Sequence, residues 1–119
     1  MRGKIEGKRV AELLTIKPLD KVRVYASSGC RYDWDDNPLQ VVEEATSYAE
    51  EGWTAFKMRI GTHWEWSGVT VEDFIALTRK VTDAVGDRME LMLDGNCRLT
   101  EDQSLTIAKA LDEMGWTWF

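Results

Sequence analysis

Four polar residues at the ends of two apolar stretches carry the chemistry this sequence offers. GWTAFKMRIG (52–61) places Lys57 and Arg59 one residue apart inside an otherwise apolar run, and MELMLDGN (89–96) ends in Asp94 and Asn96. Strand side chains alternate between faces, so Phe56, Met58 and Ile60 share one face while Ala55, Lys57 and Arg59 share the other. The same alternation puts Met92, Asp94 and Asn96 together on the second stretch. A Lys or Arg on a covered strand face costs several kcal/mol unless it is paired, solvated or hydrogen-bonded. Asp94 is the candidate partner. Two readings stand at this point: a structural ion pair between adjacent strands, or a polar cleft at the strand ends where α/β sites form.

Other polar candidates are weaker. His63, the only histidine, sits beside Trp64 and Trp66 in a loop after the Lys57 strand, and Tyr32, Asp33 and Trp34 lie in an earlier loop. These loops face the same end as Lys57 and Asp94, so His63, Trp64 and Tyr32 are candidate substrate contacts; packing or exposure is the alternative for each. Cys97 reads as a small buried filler. Cys30 and Cys97 are too few and too far apart for a disulfide framework or a zinc site, which fits a reducing, cytoplasmic setting.

The elements that must position these residues alternate. VRVYAS (22–27) is β-rich, with Val22, Val24 and Ala26 opposed to Arg23, Tyr25 and Ser27. Leu39, Val42, Ala45, Tyr48 and Ala49 recur at helical spacing behind Pro38, and Gly52 suits the end of that helix. TAFKMRI is a second strand. Thr70, with Glu72 and Asp73 in the first turn, opens a helix bearing Val71, Phe74, Ile75, Leu77, Thr78 and Val81. MELMLDGN is a third strand. Thr100 with Gln103 forms a capping box for a helix whose buried stripe is expected to be Leu105, Ala108, Leu111 and Met114. WTWF (116–119) opens a fourth strand.

This β-α-β-α-β-α-β order predicts right-handed crossovers and a parallel sheet. The fold class is therefore α/β: three βα units and the start of a fourth parallel strand, as in part of a (β/α)8 barrel. In such a fold the C-terminal strand ends form the site, and those ends carry Lys57, Arg59, Asp94 and Asn96. Gly52-Trp53-Thr54-Ala55-Phe56 echoes Gly115-Trp116-Thr117-Trp118-Phe119, as expected if both helix-to-strand junctions need the same residues. Ending on the first residues of a strand, the sequence reads as an interrupted protein.

The totals bound the class. The 119 residues suit one domain, burying roughly 65% of the unfolded surface. A hydrophobic share of 44% and a charged share of 30% describe a globular chain. A net charge of −6 argues against a nucleic-acid partner, since phosphate binding needs a basic surface. No apolar run approaches the ~20 residues of a membrane span.

The motif pair Gly-aromatic-x-x-Phe-Lys-x-Arg-Ile-Gly and Ala-Val-Gly-Asp-x-x-x-Leu-x-x-Asp-Gly-Asn resembles the enolase superfamily. Its mandelate racemase and muconate-lactonizing branch, notably the acid-sugar dehydratases, is the nearer likeness. By that resemblance, residues 1–17 correspond to the end of a capping-domain segment and 18–119 to the first part of the barrel. The resemblance implies an enzyme using Mg²⁺ to abstract the proton α to a carboxylate, with Asp94 as the first of three carboxylate ligands. The other two ligands belong to the fourth and fifth strands. Lys57 and Arg59 match a Lys-x-Lys pair, the first cation near the substrate carboxylate and the second able to act as base. Asn96 matches a polar position that contacts substrate or supports the groups that do.

Arg59 departs from that pattern. A guanidinium, with a pKa above ~12, is a poor proton acceptor, so an orienting or neutralising role is expected and the base lies elsewhere. The implied activity is dehydration of a sugar acid, with racemisation, epimerisation or cycloisomerisation as alternatives. Absent its further carboxylates, the 119-residue chain is expected to be inactive. A rival from another class is a non-catalytic α/β module that forms a homo-oligomer through open strand edges.

Overall fold

A computed structural model describes residues 1–29, 36–60 and 68–119 of the chain. Its elements are α1 (Arg2–Glu6), α2 (Val10–Leu14), β1 (Ala26–Ser28), α3 (Gln40–Glu50), β2 (Ala55–Arg59), α4 (Val71–Val85), β3 (Glu90–Asp94) and α5 (Glu101–Glu113). The three strands pair in parallel in the order β1-β2-β3, with Ala26 opposite Phe56 and Phe56 opposite Leu91. Beyond β3 a parallel bridge joins Met92 to Trp118, and Leu93 N–H donates to the Trp118 carbonyl. This is the alternating parallel pattern of a partial barrel.

The core forms where the sheet meets the helices. Phe56, Met58 and Ile60 are buried on one face of β2 with Leu91 and Leu93 of β3, against Val41 and Ala45 of α3, Phe74, Leu77, Val81 and Val85 of α4, and Ile107 and Leu111 of α5. Helical and two-residue periodicities thus converge on one apolar layer, which leaves the opposite face of β2 to its cations.

Both helix-to-strand junctions share one device. Gly52 (φ 90) and Gly115 (φ 76) adopt left-handed backbone that favours glycine. After each, the tryptophan N–H reaches back five residues, Trp53 to the Tyr48 carbonyl and Trp116 to the Leu111 carbonyl. That is a Schellman ending, and an apolar contact accompanies it. At the first junction the Tyr48 and Trp53 rings meet edge to face at 6.2 Å. The Gly-Trp echo in the sequence follows from this shared geometry.

Both expected helix starts at threonine are present. Thr70 Oγ1 accepts from Asp73 N–H, and Thr100 Oγ1 accepts from Gln103 N–H while the Gln103 side chain accepts from Thr100 N–H. Thr100→Ala is expected to lower stability by about 1 kcal/mol. A denaturant midpoint unchanged by that substitution would show α5 to be held by packing alone.

Three local expectations are corrected. Strand β1 spans Ala26–Ser28 and not 22–27: its register reaches the first residues of β2 at Ala26, so Val22 and Val24 run past the partner strand and are 69% and 57% exposed. Helix α3 begins at Gln40, because Gln40 N–H closes a turn onto the Asn37 carbonyl around Pro38. The α5 stripe runs through Ile107 and Leu111, leaving Leu105 54% exposed. The first segment is two short helices with no buried residue, broken at Gly7. Among the described residues no helix is long and apolar enough to cross a membrane.

Candidate functional site

Strands β2 and β3 hold the candidate residues by register. Arg59 is the direct partner of Asp94 and Lys57 that of Met92, so Lys57 reaches Asp94 diagonally along one face. Lys57 Nζ lies 3.1 Å from Asp94 Oδ2, and Arg59 Nε lies 4.0 Å from the same oxygen. The Lys57 side chain is only 13% exposed, whereas that of Asp94 is 36% exposed. The ammonium is therefore shielded and the carboxylate faces the open end of the sheet.

Asn96 arrives differently from expectation. Strand β3 stops at Asp94, and Asn96 and Cys97 both take left-handed backbone (φ 51 and 56) in the turn that follows. Asparagine tolerates this conformation well and cysteine less so. The turn folds Asn96 back over β2: its Oδ1 accepts from Arg59 Nη2 at 2.6 Å, and its Nδ2 donates to the Ile60 carbonyl at 3.4 Å. The same turn exposes Cys97, correcting its reading as a buried filler. Gly95 sits under Phe119, whose ring would lie 3.2 Å from an added Cβ.

Asp94 is held as an anion. Its Oδ1 accepts the Asn96 backbone N–H at 3.0 Å, and this bond, followed by the Lys57 ammonium, holds its carboxyl below the usual range. A carboxylate depressed in the folded state contributes stability that is fully present above its unfolded pKa. That contribution is lost as pH falls through the folded value. Acidification from the ordinary aspartate range downward is thus expected to open the Lys57–Asp94 pair. The carboxyl resonance of Asp94, followed by NMR, should titrate at lower pH here than in Lys57→Met; identical titrations would exclude the pairing.

Sequence reasoning missed Tyr25. Lys57 Nζ stands 5.6 Å from the centroid of its ring. No local signal marked it, because the contact depends on the alignment of Ser27 with Lys57 across β1 and β2. Tyr32, His63 and Trp64 lie outside the described residues.

The fit to a divalent cation can be judged from the donor set. Mg²⁺ takes six oxygen ligands in near-octahedral geometry. Asp94 offers one charged, half-open carboxylate, and no group of three His, Cys, Asp or Glu side chains gathers among the described residues. These residues fit one ligand of a metal site and do not by themselves complete one.

The family described as Enolase C-terminal domain-like matches residues 40–119. The chain belongs to it. Within that family lies the mandelate racemase and muconate-lactonizing branch, whose members are enzymes. The chain is 28% identical over its whole length to D-galactarolactone cycloisomerase of Agrobacterium fabrum, of which it spans 30%. A mandelate racemase/muconate lactonizing protein from Paracoccus denitrificans superposes with a TM-score of 0.79 at 24% identity, covering 99% of this chain and 32% of that one. A racemase from Streptomyces coelicolor A3(2) with bound magnesium superposes at 0.62 and 24% identity, covering 82% of this chain and 26% of that one. Those two likenesses establish the fold, a parallel α/β pattern that matches part of a barrel. The chain spans about a third of the length of the relatives it matches, or less.

Proposed function

We propose that this chain supplies part of the site of a Mg²⁺-dependent enzyme that removes the proton α to the carboxylate of a sugar acid. The observation that carries the reading is the placement of Lys57, Arg59 and Asp94 on one face at the C-terminal ends of two adjacent parallel strands. Carbon acids of this kind are weak, because loss of the α proton turns a carboxylate into a doubly charged enediolate. Fixed positive charge in a site shielded from water lowers that barrier.

Each residue has a task. Lys57, little exposed and already oriented by Asp94, binds the substrate carboxylate with its remaining N–H bonds. Arg59 is held by Asn96 and adds a second fixed cation; it does not take the proton, because a guanidinium stays protonated. The base and the other metal carboxylates come from outside these elements. Asp94 serves as one oxygen ligand to the ion. A bound Mg²⁺ supplies the dication that offsets the enediolate's added charge. Loss of a β-hydroxyl as water, dehydration, is the overall reaction we favour. The likeness to a cycloisomerase favours a second outcome, in which an internal oxygen is the leaving group.

Solvent exchange tests the reading. A protein uniting this chain with the remaining barrel strands should exchange the α proton of galactarate for deuterium in D2O when Mg²⁺ is added. The 119-residue chain alone should exchange none. Exchange that persists without Lys57 and Asp94, or turnover by the isolated chain, would refute it.

A further inference from the structure

Lys57 is gripped from β3 on one side and from the segment leading into β1 on the other. Ser27 of β1 is its Cα partner, and Tyr25, two residues earlier, belongs to the same face. The Lys57 Nζ therefore lies between the Tyr25 ring, 5.6 Å from its centroid, and Asp94 Oδ2 at 3.1 Å. An ammonium within about 6 Å of a ring face is attracted by the ring's quadrupole, more strongly where water is scarce. Water is scarce here, since the Lys57 side chain is 13% exposed. A lysine stem is otherwise loose, with four carbons and a freely rotating head. One carboxylate contact fixes the distance of that head from β3 but leaves it free to swing about Asp94. A second contact from Tyr25, just before β1, removes the swing.

We propose that Tyr25 is the positioning residue for Lys57, its ring face holding the ammonium so that a remaining N–H points out of the sheet toward an incoming carboxylate. The carboxylate clause rests on the function proposed above; the ring-to-ammonium contact does not. A quadrupole belongs to any benzene ring, so the Tyr25 hydroxyl is dispensable. Tyr25→Phe keeps the device and Tyr25→Leu removes it, at a position that is itself 45% exposed and so tolerant of change.

Lysine-labelled protein gives the readout. The Lys57 ε-methylene signal, identified by its disappearance in Lys57→Arg, should be shifted upfield by the ring current of Tyr25. The shift should survive in Tyr25→Phe and vanish in Tyr25→Leu, with helical content unchanged. Affinity for tartrate, measured by calorimetry, should fall about tenfold in Tyr25→Leu and stay unchanged in Tyr25→Phe. An unshifted Lys57 signal in the unaltered chain overturns the proposal, as does a phenylalanine variant that behaves like the leucine one. Tartrate that fails to bind while the ring-current pattern holds overturns the carboxylate reading of Lys57 and upholds Tyr25 as its positioning residue. Should Tyr25→Leu fail to fold, the unaltered chain and Tyr25→Phe still decide between these outcomes.

Discussion

Asp94→Asn is expected to lower kcat/KM at least a hundredfold in a protein that joins this chain to the remaining barrel strands, with little change of shape at the site. Asparagine fills the same volume, and its carbonyl oxygen can still accept the Asn96 backbone N–H that Asp94 Oδ1 accepts at 3.0 Å. What it removes is charge. Lys57 Nζ, 3.1 Å from Asp94 Oδ2, and Arg59 Nε, 4.0 Å away, would face each other with no carboxylate between them. A hard dication would lose an anionic oxygen ligand at the same time. Loss of one preorganised electrostatic group in a reaction that builds charge typically costs 10²- to 10³-fold. Magnesium affinity by calorimetry, kcat/KM and the denaturant midpoint should be measured on the same protein. A midpoint that falls while metal affinity and turnover stay unchanged would make Lys57–Asp94 a structural ion pair between strands and remove the proposed chemistry. Turnover and metal affinity lost together is the expected pattern, with a fall in the midpoint smaller than for a fully buried pair because Asp94 is 36% exposed.

The sequence made the alternation of elements legible because each periodicity is locally written. Phe74, Leu77, Thr78 and Val81 mark the α4 stripe, and the Gly-Trp pairs mark both Schellman endings. Pairing partners are not local. The register Ala26↔Phe56 decides that Val22 and Val24 stay outside the sheet, and nothing in VRVYAS records where β2 begins. The same limit applies to the site. Period-two reasoning put Lys57, Arg59 and Asp94 on one face, and the structure brings them together there. It placed Asn96 on that face as a strand residue, whereas a left-handed turn delivers it, and that backbone follows from the turn and not from residue alternation. Tyr25 was invisible as a partner because its contact with Lys57 exists only once β1 and β2 are aligned.

Phe56→Ala should be the most destabilising of the single changes considered, because the residue that anchors the sheet precedes the one that faces the site. Phe56 is fully buried, its ring lies 6.0 Å from that of Tyr48, and its strand is the central one, paired on both sides with Ala26 and Leu91. Strands on both flanks and a helix above leave the site little room to collapse, so truncation leaves a cavity as well as losing apolar burial. Such changes cost about 3–5 kcal/mol, a large part of the roughly 5–15 kcal/mol that holds a domain together. Leu105→Ala is the matched control: at 54% exposed it should shift stability by no more than about 0.5 kcal/mol. Chemical denaturation of both variants reads the difference directly, and equal midpoints would contradict the packing described. The functional consequence follows from alternation along β2. Phe56 and Lys57 point to opposite faces, so the loss of Phe56 should reach the site only through unfolding. In the fraction that remains folded at low denaturant, the Lys57–Asp94 contact should be intact. Its disappearance in folded Phe56→Ala protein would mean that the polar face is set by core packing and not by strand register.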